Sequence, residues 1–408
     1  MDKLKIFVSA YACEPGLGSE IGVGWHWVLE MSKYFELWVL TRKSNQHTIE
    51  PWIAEHLEFS SIHFLYYDWP KWARFWKKGL RGVRTYYNLW QTCTNSMVRR
   101  TMQENDIKIF HHLTYGNMLW KVSSYGQKQF FIWGPVGGLE TIPEEFSCHY
   151  GRKWKLIEKV RRTVVKTLPF NYGFTNRCKN ADVILCKTDI TRNLIPDEYR
   201  SKAMLQTDVA VELMDCPPIK EVEHDTTLKI ITVGRLDAWR GFDLCIEALS
   251  EALKYKSNLN LTIVGSGSDE TRLKQIAKEK GVTDKVIFTG KVCAQKYLSL
   301  LGSTDIVINA SLKEGAVTVS FDSMALGKPL ICLDTTGYTR YFDKEYAEII
   351  PISSRTKVIN DISNSILKLS DEKLRIRMGK VALTKGQIFS WENRGHEIYK
   401  LITEKFNG

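Results

Sequence analysis

The sequence from Ser311 to Pro329 reads SLKEGAVTVSFDSMALGKP. One apolar run, Asp305–Ala310, comes directly before this stretch, and a second, Pro329–Leu333, comes at its end. Between the two runs, the pattern predicts a turn of small residues followed by a helix. Because parallel neighbouring strands need such a crossover connection, this stretch predicts an α/β unit with a parallel sheet.

The same alternation of apolar runs and longer helical stretches continues on both sides of this unit. Continuous apolar runs are typical of parallel strands that helices cover on both faces. Beyond the two strands above, we predict strands at Lys5–Ala10, Leu37–Thr41, Ile107–Leu113, Phe130–Trp133, Val183–Cys186, Lys229–Val233, Leu259–Val264 and Val286–Thr289.

Chain length and one break in this pattern indicate two domains. A chain of 408 residues exceeds the ~100–200 residues of a typical domain. The pattern breaks at 208–228, a polar stretch that contains two adjacent prolines. We predict a Rossmann-like domain at 1–207, a linker at 208–228, a second Rossmann-like domain at 229–388, and a helix at 389–408 that packs back on the first domain. Two such domains would face each other across a cleft.

The net charge of +11 indicates an anionic partner, and the charge is unevenly distributed. Residues 71–100 contain eight Lys or Arg and no acidic residue, and residues 152–166 contain seven Lys or Arg and one Glu. Together these two segments carry more net positive charge than the whole chain, so the rest of the chain is slightly acidic. A hydrophobic content of 44% excludes a mainly disordered protein.

The cysteines and the apolar runs predict a cytoplasmic protein. Nine scattered cysteines without a CxxC pair favour reduced thiols over a disulfide framework or a zinc site. The amino-terminal apolar run is too short for a signal peptide, and no uninterrupted run reaches the ~18 residues of a spanning helix.

Charged residues follow two predicted strands of the second domain, where ligands of doubly wound sheets bind. Arg235 and Arg240 could reach a diphosphate there, although a solvated surface pair is the alternative. Glu314 follows the predicted strand Asp305–Ala310, and Asp322 lies eight positions further on, about two helical turns away. The turn between these acids offers amides to an anion. An exposed acid and an ordinary amphipathic helix are the alternative.

Glycine-rich turns give a weaker signal. Gly16, Gly18 and Ser19 precede a predicted helix, whose amides and dipole favour phosphate, but a tight turn that needs glycine explains them equally well. The pattern GxGxxG is missing, including at Gly265-Ser266-Gly267, which disfavours a dinucleotide cofactor.

Taken together, these motifs resemble glycosyltransferase family 4, retaining enzymes of the GT-B fold. The resemblance covers nearly the whole chain and points to a bacterial branch that makes polysaccharides. Its segments are Val233–Gly241, Ile263–Gly267, Phe288–Gly290 and Ser311–Pro329, with Tyr11–Glu20, Phe110–Tyr115 and Trp133–Gly138 in the first half.

The resemblance implies roles for individual residues. Gly18 and Ser19 would lie beside the donor diphosphate, which Arg235 and Arg240 would neutralise. Glu314 would contact the donor sugar hydroxyls, and Asp322 the ribose. The family usually has Lys where Arg240 stands and Glu where Asp322 stands. The full donor-binding set that we predict is Gly18, Ser19, Arg235, Arg240, Gly265, Glu314, Gly315, Ala316, Val317 and Asp322.

Two adjacent histidines end the predicted strand Ile107–Leu113. Because side chains alternate along a strand, only one of His111 and His112 can face the cleft. In the resembling family a histidine near this place lines the sugar site, which favours His112, whereas a structural histidine is the alternative. The resemblance thus makes Glu314, Arg235, Arg240 and His112 the catalytic candidates.

Both basic segments carry apolar residues at spacings of three and four, which predicts amphipathic helices at 71–90 and 152–168. An apolar face with Trp beside a cationic face is typical of binding to an anionic bilayer. Packing on the protein's own domain is the alternative. We predict membrane contact through Trp72, Arg74, Trp76, Lys77, Lys78, Arg81, Lys153, Trp154, Arg161 and Arg162.

The sequence therefore predicts a retaining, metal-independent glycosyltransferase without a cofactor. Its donor would be a UDP- or GDP-linked sugar and its acceptor a lipid-linked glycan, at the inner face of the cell membrane. We predict no nucleic-acid partner, since no such motif accompanies the basic segments, and no obligate protein partner. A non-catalytic scaffold or donor sensor of the same fold is the alternative.

Overall fold

The computed structural model describes residues 3–77, 81–123, 129–147, 151–212, 227–314 and 318–407. Internal contacts divide the chain into two compact units. Unit 1 comprises Met1–Leu139, Val164–Asp208 and Trp391–Gly408, and unit 2 comprises Glu140–Thr163 and Val209–Ser390.

In the described ranges, unit 1 contains a sheet of seven parallel strands. Their order is β3-β2-β1-β4-β5-β6-β7, so the direction in which the chain adds strands reverses between β1 and β4. The strands are β1 (Lys5–Ser9), β2 (Glu36–Arg42), β3 (His63–Tyr67), β4 (Ile109–His112), β5 (Phe130–Val136), β6 (Val183–Cys186) and β7 (Ala203–Leu205).

Unit 2 contains a second parallel sheet, of six strands among the residues described. Its order is β10-β9-β8-β11-β12-β13, with the reversal between β8 and β11. The strands are β8 (Leu228–Val233), β9 (Leu259–Val264), β10 (Val286–Gly290), β11 (Ile306–Asn309), β12 (Leu330–Asp334) and β13 (Ala347–Pro351).

Helices connect the strands in both units. In chain order they are α1 (Ser19–Ser32), α2 (Gln46–Glu55), α3 (Val83–Cys93), α4 (Asn95–Glu104), α5 (Glu144–Ser147), α6 (Arg152–Thr167), α7 (Tyr172–Asn180), α8 (Asp189–Asn193), α9 (Phe242–Leu253), α10 (Glu270–Glu279), α11 (Ala294–Gly302), α12 (Thr318–Ala325), α13 (Arg355–Lys368), α14 (Glu372–Ile388) and α15 (Trp391–Asn407). None of the helices described is long and apolar enough to cross a membrane.

Each unit buries a hydrophobic core of its own. Phe7, Trp90 and Phe110 lie in the core of unit 1. Ile230 and Leu249 lie in the core of unit 2. The two parallel sheets confirm the predicted pair of α/β sheets.

The helix α6 and its preceding segment belong mostly to unit 2, whereas the sequence pattern predicts 140–163 in the first domain. Trp154 packs against the core of unit 2, and the Glu158 carboxylate accepts a hydrogen bond from the Ile142 amide at 2.7 Å. At the other end of the chain α15 groups with unit 1. Residues 213–226 of the predicted linker lie outside the described residues.

The prediction of one amphipathic helix at 71–90 is wrong. Lys71–Arg74 forms a single 3-10 turn, and Gly82, with φ of +77°, lies between this turn and α3. The apolar residues consequently have different environments: Trp72 is 79% exposed, whereas Tyr87 and Trp90 are fully buried.

Candidate functional site

The polar residues predicted in the second domain meet where the sheet order of unit 2 reverses. The loop after β8 carries Arg240, and the loop after β11 carries Glu314. The Arg240 guanidinium and the Glu314 carboxylate form an ion pair. In doubly wound sheets, ligands bind outside the carboxyl ends of the strands at this reversal. This ion pair therefore marks the candidate site of unit 2.

Arg240 is mostly buried, with 22% of its side chain exposed. Its guanidinium carbon lies 4.4 Å from the centre of the Trp239 ring. Burial, reinforced by the charge of Arg235, lowers the pKa of Arg240 to about 10, so the side chain remains a cation at neutral pH. Its Nε has no hydrogen-bond partner among the described residues, which leaves one buried donor free.

The other arginine of the pair is more accessible. Arg235 Nε donates to the Asp237 carboxylate at 2.6 Å, and 57% of its side chain is exposed. The two predicted arginines therefore differ: Arg240 is held by the site, whereas Arg235 lies at its edge.

Hydrogen bonds hold the loop that carries Glu314. Thr335 Oγ1 donates to the Ser311 carbonyl at 2.9 Å, and Thr336 Oγ1 donates to the Glu314 carbonyl. Thr336 has φ of +57°, a strained conformation for a β-branched residue. Such strain persists only where the surroundings impose it, as in many ligand sites. Gly315, Ala316 and Val317 lie outside the described residues.

The second acid of this stretch is already bonded. Asp322, buried in α12, accepts a hydrogen bond from the Tyr297 hydroxyl at 2.5 Å. Burial raises the pKa of Asp322 to about 6, and the Tyr297 hydroxyl opposes the shift. One carboxylate oxygen is thus occupied by a neighbouring helix.

Gly265 has a backbone role. Its φ is +135°, and a Cβ at this position would lie 1.9 Å from the Gly234 carbonyl oxygen. The loops after β8 and β9 can approach this closely only if residue 265 lacks a side chain. The structure accounts for this glycine without a ligand.

In unit 1, the residues around Gly18 lie at the reversal between β1 and β4. Gly18 immediately precedes α1 and has φ of −86°, which any residue adopts. A Cβ on Gly18 would meet nothing within 4 Å among the described atoms. The tight-turn explanation fits Gly16, with φ of +72°, but not Gly18. Ser19 begins α1.

His112 and His111 are both buried in β4. His112 Nε2 lies 3.0 Å from the Tyr87 hydroxyl, and burial lowers the pKa of His112 to about 3. His111 Nε2 donates to the Gly134 carbonyl at 2.8 Å, with a pKa that burial lowers to about 4. Both imidazoles are therefore neutral at physiological pH, and their low pKa values make them weak bases.

The predicted membrane residues have several internal partners. Arg74 pairs with Asp68 at 3.3 Å, and the Lys77 ammonium lies over the Tyr86 ring at 5.4 Å. Trp76 Nε1 donates to a carbonyl within its own segment. Trp72 and Arg81 are exposed. Lys78 lies outside the described residues.

In α6 the partners lie within unit 2. Arg162 pairs with Glu144, and Arg161 lies 3.8 Å from the Glu158 carboxylate. Trp154, predicted to contact a membrane, packs against the core. The exposed apolar residues of α6 are Leu156, Ile157 and Val160.

Sequence reasoning missed several residues around these sites. In unit 1, Glu20 accepts from the Tyr115 amide at 2.7 Å and thereby joins α1 to the loop after β4. In unit 2, Lys313 pairs with Glu158 at 3.0 Å. Glu158 is the single acid in the basic segment 152–166. That isolation was a signal that it faces inward.

Parts of the chain are similar in sequence to known proteins. Residues 218–384 match the family of glycosyl transferases group 1. An uncharacterized glycosyltransferase of Methanocaldococcus jannaschii is 26% identical, over 56% of this chain and 59% of that protein. The alpha-monoglucosyldiacylglycerol synthase of Streptococcus pneumoniae is 26% identical, over 45% of this chain and 42% of that protein. The chain thus spans about half the length of these curated relatives.

Solved structures show the same fold. Sucrose-phosphate synthase of Thermosynechococcus elongatus aligns with a TM-score of 0.67 and 15% identity, over 99% of this chain and 100% of that one. The pneumococcal O-GlcNAc transferase GtfA, solved with UDP and GlcNAc, aligns with a TM-score of 0.56 and 17% identity, over 77% of this chain and 61% of that one. With the two parallel sheets, this similarity confirms the predicted GT-B fold of two Rossmann-like units.

Proposed function

We propose that the protein is a retaining glycosyltransferase that transfers a sugar from a nucleotide diphosphate sugar to a hydroxyl of a lipid-linked glycan. The observation that carries this proposal is the Arg240–Glu314 pair at the strand reversal of unit 2. It lies within the residues that match glycosyl transferases group 1. We assign the product to cell-surface polysaccharide or glycoconjugate synthesis.

The two charged residues would have complementary tasks. Arg240 and Arg235 would neutralise the departing diphosphate, a task that fixed cations perform without a bound metal ion. Without donor, Arg240 and Glu314 neutralise each other. Once a diphosphate engages Arg240, the Glu314 carboxylate would become free to accept hydrogen bonds from the sugar hydroxyls.

The remaining donor contacts follow from the same proposal. Gly18 and Ser19 precede or begin α1, where backbone amides suit a phosphate, and the backbone angles of Gly18 do not require glycine. Gly315 to Val317 would offer further amides, and Asp322 would use its second oxygen for the ribose. Gly265 would support these loops through its backbone. UDP is the nucleotide we favour, because GtfA was solved with UDP.

We further propose that the protein works as a peripheral protein at the inner face of the cell membrane. The exposed Leu156, Ile157 and Val160 lie among the cations of α6, a combination that suits an anionic lipid surface. A relative named for synthesis of a glucosylated diacylglycerol supports a lipid-bearing acceptor.

Hydrolysis of the donor by pure protein tests the proposal. Glycosyltransferases transfer sugar slowly to water, so wild type should release nucleoside diphosphate from at least one member of a panel of UDP- and GDP-sugars. Glu314→Gln removes the negative charge but keeps the shape, and we expect release to fall by roughly tenfold to a hundredfold. Glu345→Gln, on an exposed loop of unit 2, is the matched control. Equal rates for wild type and Glu314→Gln would contradict the assignment.

A second candidate is a non-catalytic donor sensor of the same fold. The bond between Asp322 and Tyr297 favours it, because an occupied carboxylate binds ribose less readily. A sensor would bind a nucleotide sugar without turnover, so binding in calorimetry together with background hydrolysis across the panel would select it.

A further inference from the structure

Helix α6 has an exposed face and an inner face that contacts the candidate site. The exposed face carries Leu156 and Val160, which are 63% and 55% exposed. The inner face carries Trp154, which packs on the core of unit 2, and the buried Glu158. This inner face is the part of α6 that can act on the site.

Both oxygens of the Glu158 carboxylate are engaged. Oε1 accepts from the Ile142 amide at 2.7 Å, and Oε2 accepts from Lys313 Nζ at 3.0 Å. The side chains of Glu158 and Lys313 are only 4% and 8% exposed. The pair therefore ties α6 to the loop that follows β11.

Lys313 lies beside the residues of the candidate site. It directly precedes Glu314, and its ammonium lies 5.5 Å from the centre of the Trp239 ring. Arg240 stacks on the same ring at 4.4 Å. Leu312 also donates its amide to the Trp239 carbonyl at 2.9 Å. A displacement of Lys313 would thus move the loop of Glu314 relative to Trp239 and Arg240.

Stability alone does not account for this ion pair. Burying two charges costs desolvation energy that their attraction often fails to repay, and apolar replacements are frequently neutral. Burial and the nearby Arg161 lower the pKa of Lys313, against the opposing charge of Glu158. A pair with fixed geometry does, however, specify one position for the loop.

We propose that Glu158 and Lys313 are positioning residues that hold the Ser311–Glu314 loop where Glu314 meets the sugar of the donor. This inference rests on the proposed function and assigns α6 a part in it. Thr335 and Thr336 fasten the same loop at Ser311 and Glu314. The ion pair therefore fixes Lys313, between these two attachment points, to α6.

Two variants remove the pair with little change in shape. Glu158→Gln keeps an oxygen for the Ile142 amide, and Lys313→Met keeps an unbranched side chain beside Trp239. We expect either variant to lower hydrolysis of the donor that wild type cleaves fastest by about tenfold, since small misplacements of a reacting group are costly. The Kd of UDP alone should stay within about twofold, because UDP lacks the sugar that Glu314 contacts.

Two further variants separate positioning from general destabilisation. Glu158→Gln with Lys313→Met should be no slower than either single variant, because one interaction is lost in all three. Arg355→Met removes another cation of unit 2, which pairs with Glu247 at 2.6 Å and with Asp243 at 3.0 Å, and should lower the Tm without slowing hydrolysis.

The remaining outcomes would contradict either the positioning role or the proposed function. Unchanged hydrolysis in both single variants, effects that multiply in the double variant, or an equal loss of UDP affinity would overturn the positioning role while leaving the proposed function intact. Wild type that cleaves no donor in the panel would overturn the proposed function and this inference with it.

Discussion

The acidic residues of unit 2 differ in how strongly their surroundings favour the charged form of the carboxyl group. Glu314 faces Arg240, Glu158 faces Lys313, and Asp322 faces only the neutral hydroxyl of Tyr297 in the contacts described. A cation stabilises the charged form of a carboxylate, whereas burial favours the neutral form, and for Asp322 burial outweighs the opposing hydrogen bond from Tyr297. Asp322 is therefore the acid whose protonation state changes near neutral pH.

The raised pKa of Asp322 predicts a pH-dependent stability. The folded protein retains this proton up to about pH 6, whereas the unfolded chain releases it near 3.8. The unfolded state therefore binds fewer protons between these values, and this group's contribution to the free energy of unfolding falls as pH rises through that window. Asp322→Asn has no carboxyl group to titrate. The free energy of unfolding of this variant minus that of wild type should therefore be roughly 2–3 kcal/mol larger at pH 7 than at pH 4.

Urea unfolding of wild type and Asp322→Asn at a series of pH values measures this difference. The Asn oxygen can still accept from Tyr297, so the comparison isolates the carboxyl charge. Asp343→Asn, on an exposed turn of unit 2, serves as control. A gap between wild type and Asp322→Asn that does not change with pH would contradict the raised pKa.

For secondary structure, sequence patterns succeeded for the buried strands and for the edge strand β10, but failed for the other three edge strands. The strands β3, β7 and β13, each at a sheet edge, were not predicted. The side chains of β3 are partly exposed, β7 has only three residues, and a glutamate interrupts β13. The helix at 71–90 failed for another reason: its spacing is helical, but the left-handed Gly82 separates two segments with different neighbours.

The exposed face of α6 predicts binding to an anionic membrane. Leu156→Gln with Val160→Gln should reduce binding to vesicles of phosphatidylserine and phosphatidylcholine by at least about tenfold, because two apolar side chains no longer enter the lipid. Ile287→Gln, at an exposed apolar position in β10, is the control. Flotation measures the bound fraction.

Salt dependence completes this test. Binding by wild type should weaken as ionic strength rises, since the Debye length shrinks and the cations of α6 are screened. If the double variant binds as well as Ile287→Gln, or wild type does not bind at all, α6 is not a membrane contact.

At the scale of the whole molecule, each unit holds its own core and its own strand reversal. The buried cluster of unit 1 includes no residue of unit 2, and the converse holds for the residues described. Candidate donor residues occur in both units, with Arg240 and Glu314 in unit 2 and Gly18 in unit 1. A change in the stability of one unit therefore indicates that a ligand binds to that unit.

Scanning calorimetry with UDP tests this division. A ligand that binds only folded protein raises its stability by about 2.7 kcal/mol at a hundredfold excess over Kd. We expect saturating UDP to raise the Tm of the transition that comes from unit 2. Arg240→Ala should remove most of the Tm shift that UDP causes. Arg355→Met should lower the Tm without UDP but leave the UDP shift unchanged. A UDP shift that survives Arg240→Ala would place the diphosphate elsewhere.

The sequence alone predicts the α/β class, the buried strands and the charged residues at the strand reversal of unit 2. It could do so because a strand covered on both faces must be continuously apolar, and because the loops after such strands carry the ligand residues. Lys313 lies within the motif around Glu314, and Trp239 lies earlier in the chain. The sequence does not show that these two side chains are in contact.

Tertiary packing sets which face of each basic segment is buried, which group bonds to Asp322, and which partner Lys313 has. Glu158 and Lys313 lie 155 positions apart in the chain yet form a hydrogen bond of 3.0 Å. Spacing along a chain reports contacts within one helix or strand, whereas a contact between distant elements depends on how they pack. The tertiary structure thus connects the lone acid of a basic helix to the residue before Glu314.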